Sequence, residues 1–119
     1  MRKVFAILAA LAALPASANA GCRLEGSYPG RVAGGKTVER TLFLSPNHAQ
    51  INVVADSDSD RLVMLVRRPS GAAACGRRGP GNMLDCLVTV KRKGNHVVRI
   101  SNPTRRAVTY SMQCWNAGD

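Results

Sequence analysis

Asp56, Asp58 and Asp60, spaced by serines in "DSDSD", are the residues that most invite chemistry in this chain. Alternating acids on one loop can offer several oxygens to calcium, which takes about six to eight. The stretch begins like a calcium-binding loop. However, Arg61 stands where such a loop needs its glycine, and Arg67 where it needs its closing glutamate. With cations in those places the triplet reads as a solvated turn whose carboxylates bond nearby backbone amides. No metal ion and no other cofactor is expected.

Hydrolytic chemistry has little to draw on. His48, in "SPNHAQ", and His96, beside "KGN", are the only histidines, and both read as exposed turn residues rather than bases. Glu25 and Glu39 are the only glutamates, and Ser45 and Ser101 fall at strand ends. There is no G-x-S-x-G, no H-E-x-x-H and no glycine-rich phosphate loop leading into a helix. No catalytic residue is assigned, and a small hydrolase is the least favoured reading.

Cys22, Cys75, Cys86 and Cys114 contain no C-x-x-C spacing, which disfavours zinc. An even number of cysteines in a small exported domain reads as two disulfides, with three possible pairings. Export is indicated by residues 1–20: Arg2 and Lys3 precede an apolar run from Val4 to Leu14, and Ala18-Asn19-Ala20 offers small residues for cleavage. That run is shorter than the roughly 18–20 residues a spanning helix needs, and no later segment approaches that length. One domain, residues 21–119, is expected in the periplasm or outside the cell. Ala20-Gly21-Cys22 also fits a lipoprotein box, except that Asn19 stands where a leucine-like residue is usual, so a lipidated Cys22 is the lesser alternative.

The formal charge is +10, of which Arg2 and Lys3 contribute two, leaving +8 after cleavage. A balance of this size favours anionic partners without saying anything about fold. After Gly21 there is no sustained helical period. Short runs rich in Val, Ile, Leu and Thr predict strands near residues 36–44, 49–55, 61–67, 85–92, 96–101 and 107–114, with a weaker one over 22–28. "SPNH", "DSDSD", "RPSG", "KGN" and "SNPTRR" supply the turns between them. About seven strands at roughly 8–12 residue spacing predict an all-β antiparallel sandwich. "RLVMLVR" is apolar on both faces, as in a central strand covered on both sides. Residues 69–84 read as one long connection.

With these strands in place, "QINVVADSDSDRLVMLVRRPSG", the flanking cysteines, the Gly94 turn, "HVVRISN" and a closing strand with Tyr110 resemble the bacterial pre-peptidase C-terminal domain. The match runs from about Thr37 to Cys114. It implies a jelly-roll-like β-sandwich that, in the family, usually trails a secreted peptidase as a targeting, solubility or adhesion module. Some members bind calcium, but the family's acid inside the strand corresponds to Leu62 here, and the one at its end to Arg67. The resemblance also supports pairing Cys75 with Cys86, which leaves Cys22 for Cys114.

If strands simply alternate in direction, successive connections fall at opposite ends of the domain. Residues 69–84 and "NPTRR" would then share an end and gather Arg67, Arg68, Arg77, Arg78, Arg105 and Arg106 as a candidate anion-binding pole. Lys91, Arg92 and Lys93 would share the other end with the Asp triplet. The expected function is a non-catalytic binding or adhesion module contacting lipopolysaccharide, a phosphorylated glycan or a nucleic-acid backbone; the alternative is docking on another exported protein. Phe43, Tyr28, Tyr110 and Trp115 are too few, and Phe43 and Tyr110 too apolar in setting, for base-by-base reading of nucleic acid.

Overall fold

Side chains alternate across a strand, so a period of two in burial marks which face meets the core. Met83–Val90 is the clearest instance: Leu84, Cys86, Val88 and Val90 are buried while Met83, Asp85, Leu87 and Thr89 are exposed. Val108, Met112 and Cys114 do the same in the last strand. The computed structural model describes Cys22 and residues 27–57, 61–79 and 81–116. The segment read as a signal peptide, and Asp58 and Asp60, lie outside these residues. Among the described residues no helix is long and apolar enough to cross a membrane.

The described residues form eight strands: β1 (Ser27–Val32), β2 (Thr37–Leu44), β3 (Asn47–Ala55), β4 (Val63–Arg67), β5 (Ala73–Arg78), β6 (Met83–Val90), β7 (Gly94–Ser101) and β8 (Val108–Asn116). They make two antiparallel four-stranded sheets, ordered β1-β8-β3-β6 and β2-β7-β4-β5. Strands next to one another in sequence sit in different sheets except for the β4–β5 hairpin, which makes this a jelly-roll sandwich. The core is the space between the two inner faces. Leu42, Leu44, Met64, Val66, Val98 and Ile100 on one side meet Ile51, Val53, Val88, Val108 and Met112 on the other.

One strand, β5, goes beyond the expected seven. Its sequence, "AACGRR", has no β-branched or aromatic residue, and it lies at a sheet edge. Two things hold it: the ladder to β4, from Val63 opposite Arg78 to Arg67 opposite Ala73, and the Cys75–Cys86 disulfide. Because β5 and β6 are edge strands of different sheets, that bridge staples the two sheets together along one side. Its Cα atoms are 6.0 Å apart. Cys22 pairs with Cys114, with Cα atoms 5.0 Å apart, tying a residue ahead of β1 in the chain to β8. A sulfur so engaged cannot also carry a lipid.

The expectation for "RLVMLVR" needs one correction. β4 is an inner strand of its sheet, but only its core-facing side is deeply covered; Val63 and Leu65 on the outer side are half-buried among β-sheet neighbours.

Candidate anion-binding site

Two loops from different sheets meet at one end of the sandwich. The first is the β4–β5 turn, Arg68-Pro69-Ser70-Gly71. Gly71 N–H donates to the Arg68 carbonyl at 2.8 Å, closing a four-residue turn. Proline at the second position presets the backbone, and Gly71 takes φ +93°, which favours glycine. Arg68 N–H then donates to the Ala72 carbonyl at 2.8 Å, and the ladder slips between Val66 and Arg67 in a bulge. The bulge turns Arg67 back over the turn, where its Nη1 donates to the Gly71 carbonyl at 2.9 Å. Arg68 reaches across to the other sheet, its Nη1 donating to the Thr89 carbonyl on β6 at 2.9 Å.

The second loop is the β6–β7 link, Lys91-Arg92-Lys93, exposed throughout. It crosses from one sheet to the other and ends at Gly94, directly beneath Pro69. A Cβ on Gly94 would stand 2.9 Å from Pro69 Cγ, so the two basic loops pack this closely only because residue 94 has no side chain. Between them lies a cleft of about 470 Å³ lined by Arg68, Pro69, Ser70, Lys91, Arg92, Lys93 and His96.

His96 forms the inner wall of this cleft, and it corrects the expectation of an exposed turn residue. It is 1% exposed, on the core side of β7 in phase with Val98 and Ile100. Its Nδ1 lies 3.1 Å from the Gly94 carbonyl, and because a carbonyl only accepts, Nδ1 carries the proton. Burial pushes the imidazole pKa below its usual value, and the nearby Arg68 charge pushes it the same way; the Gly94 bond only partly opposes them. His96 is therefore a neutral wall rather than a further cation. His48 is exposed as expected, but it lies in β3, opposite Thr89, rather than in a turn.

Arg67, Arg68, Lys91, Arg92 and Lys93 thus share one end of the molecule. The described carboxylates lie elsewhere. Glu39 pairs with Arg99 at 3.3 Å in mid-sheet, Asp85 accepts from Gln50 on an outer face, and Asp56 sits beside Thr109 at the far end. Coulombic repulsion among the cations of this pole is unrelieved by any described acid.

The six arginines expected to form a pole do not gather. Arg78 lies opposite Val63 and Arg77 opposite Met64, at the end where β4 begins, whereas Arg67 and Arg68 are where it ends. Arg105 and Arg106 follow Ser101, which also lies opposite Val63, so they join Arg77 and Arg78 at the far end. The cause is β5, which the strand pattern does not announce. Each strand reverses the chain, so omitting one inverts every later connection, and Lys91–Lys93 and Arg105–Arg106 exchange ends. The "RPSG" turn is the clue: a tight turn of that kind returns the chain as a hairpin rather than opening a long loop.

At the far end the chain is organised by Asn102. Its Nδ2 donates to the Val32 carbonyl at 3.0 Å and to the Arg106 carbonyl at 2.6 Å, and its Oδ1 accepts from Thr104 N at 3.0 Å and Thr104 Oγ1 at 2.6 Å. Its backbone joins Lys36 and Gly35 at 2.9 Å each. Among the described residues no three His, Cys, Asp or Glu side chains converge on a point that could hold a metal.

No family model and no curated protein matches the chain. A search of solved structures finds the crystal structure of the pre-peptidase C-terminal domain of a collagenase from Bacillus anthracis. That match has a TM-score of 0.66 at 17% identity and covers 82% of this chain and 95% of that one. At such identity the likeness is one of fold, and it agrees with the resemblance read from the strand and turn pattern.

Proposed function

We propose that this chain is an exported, non-catalytic binding module whose cationic pole grips an anionic polymer. One observation carries the reading: Arg67, Arg68, Lys91, Arg92 and Lys93 come together from two loops with no described carboxylate among them. Guanidinium forks hold phosphate or sulfate oxygens in pairs, and lysines add mobile point charges around them. Two disulfides in so small a domain suit an oxidising compartment, consistent with export. The fold neighbour is a domain of a collagenase, which supports an accessory rather than a catalytic role.

Binding to long-chain polyphosphate, heparin and lipopolysaccharide at low salt, measured across a salt series, tests this. Affinity is expected to fall steeply with salt as counterions are displaced. Lys91→Ala with Lys93→Ala should lower both affinity and the log–log salt slope, the slope by about 0.7–0.9 for each anionic group no longer neutralised. Arg105→Ala with Arg106→Ala, at the opposite end, should change neither. Equal losses from the two doubles would mean a diffuse surface charge instead of a pole. No binding to any of the three polymers would overturn the reading and favour docking on an exported protein.

A further inference from the structure

The outer face of the β1-β8-β3-β6 sheet carries a second concavity, unlike the pole in chemistry. It is a hollow of about 440 Å³ lined by Gln50, Asn52, Gln113, Cys114 and Trp115. Strand register explains its composition. Gln50 lies opposite Trp115 on β8 and Leu87 on β6; Asn52 lies opposite Gln113 and Asp85. Residues opposed across an antiparallel ladder point to the same face. Two rows therefore cross the sheet, Trp115-Gln50-Leu87 and Gln113-Asn52-Asp85. Trp115 is 42% and Leu87 65% exposed, flanking a floor of carboxamides.

The floor is partly pre-set. Gln50 Nε2 donates to Asp85 Oδ1 at 3.2 Å, which orients its amide and leaves its oxygen as an acceptor. Asn52 Oδ1 is shut off from solvent and has no hydrogen-bond partner among the described residues. Native folds rarely leave such an atom unsatisfied, and it belongs to an amide that gains by reorienting when a donor arrives.

We propose that this hollow binds a neutral saccharide. A pyranose ring has an apolar face of C–H groups and a rim of hydroxyls that both donate and accept. Indole supplies a large, rigid surface for the first, and each carboxamide supplies a donor and an acceptor for the second. Other occupants fit less well. Among the described residues no lysine or arginine lines the hollow, so none of them is placed there to hold the phosphate of a nucleotide. An extended peptide adds to a free sheet edge, whereas the hollow lies over β3 and β8, the two inner strands of the sheet. The proposal does not depend on the anion-binding pole.

Trp115 is the only tryptophan in the chain, so its emission reports this site alone. The full exported chain is titrated with uncharged oligosaccharides of glucose, mannose and N-acetylglucosamine, by fluorescence and by calorimetry. A saturable change in Trp115 emission with at least one of them is expected, with an affinity that does not respond to salt. Gln50→Ala and Gln113→Ala should each weaken binding roughly tenfold, the equivalent of one hydrogen bond. Trp115→Ala should abolish the binding heat while the melting temperature stays close to that of the parent. The proposal fails if no sugar gives a signal up to about 10 mM, or if the Gln50→Ala, Gln113→Ala double binds like the parent. It also fails if the response is salt-sensitive and disappears with Lys91→Ala, Lys93→Ala, which would assign it to the pole.

Discussion

The two ends of this sandwich both display adjacent arginines, yet they are built differently. At one end Arg67 and Arg68 donate to backbone carbonyls and stand with Lys91–Lys93 around an open cleft. At the other, the loop bearing Arg105 and Arg106 is drawn inward: the Arg106 carbonyl accepts from Asn102 Nδ2, and the same side chain's Oδ1 accepts from Thr104. Gly34 backs this loop so closely that a Cβ there would collide with the Arg105 carbonyl. The first end commits its side chains to a surface, and the second commits its backbone to a knot. Equal local charge in the sequence therefore does not mean equal readiness to bind.

The largest effect should come from untying the knot. Asn102 is 1% exposed and its side chain makes four hydrogen bonds, so Asn102→Ala takes the side-chain donor from the Val32 carbonyl and the acceptor from Thr104, and leaves the Arg106 carbonyl only Thr104 Oγ1, 3.0 Å away. A loss of about 3 kcal/mol is expected, read as a lower denaturation midpoint in urea. Polyanion affinity of the folded fraction should stay at the parent value. If affinity fell in parallel with stability, the two ends would not be independent.

Less drastic is a change at the other end that leaves every charge in place. Gly94→Val puts a branched side chain where Pro69 already sits, forcing the two basic loops apart. Overpacking of this kind costs about 1–3 kcal/mol. Polyphosphate binding should weaken several-fold although net charge is unchanged; unaltered binding would mean that the number of cations matters and their arrangement does not.

How far the sequence foretells all this depends on which signal each element carries. β2, β3, β4, β6, β7 and β8 announce themselves because short runs rich in Val, Ile, Leu and Thr stand between turn-forming stretches, and within most of them burial alternates from residue to residue. β5 carries no such signal. Alanine, glycine and arginine do not prefer strands; it forms because the hairpin turn returns it beside β4 and Cys75 can reach Cys86. The cations of the site are individually legible, but their grouping depends on strand parity, which one missed edge strand inverts. His96 misleads for a related reason: proximity to "KGN" suggests exposure, while β7 begins at Gly94 and places it on the core side. Trp115 is legible as an aromatic, but its carboxamide neighbours come from β3 and from Gln113 two residues away, a grouping that only register reveals.

The smallest effect concerns pH and follows from where His96 sits. Burial first, and the Arg68 charge second, hold its folded pKa below the usual 6.5. Lys91, Arg92 and Lys93 line the same cleft and add positive potential from the β6–β7 loop. Well above pH 6.5 the imidazole is neutral in both folded and unfolded chains and contributes no pH dependence. As pH falls below that value, the unfolded chain takes up a proton that the folded one resists, so stability declines until the folded pKa is reached. The slope from this one group cannot exceed about 1.4 kcal/mol per pH unit. Urea denaturation between pH 7.5 and 5 should show the decline in the parent and a flatter profile in His96→Gln, once the carboxylate contribution common to both is subtracted. Saturating polyphosphate should also flatten the parent's profile, because an anion beside Arg68 offsets the charge that opposes protonation. An identical acid-side slope in parent and variant would separate His96 electrically from the cationic end, and would leave burial of its ring as a packing feature alone.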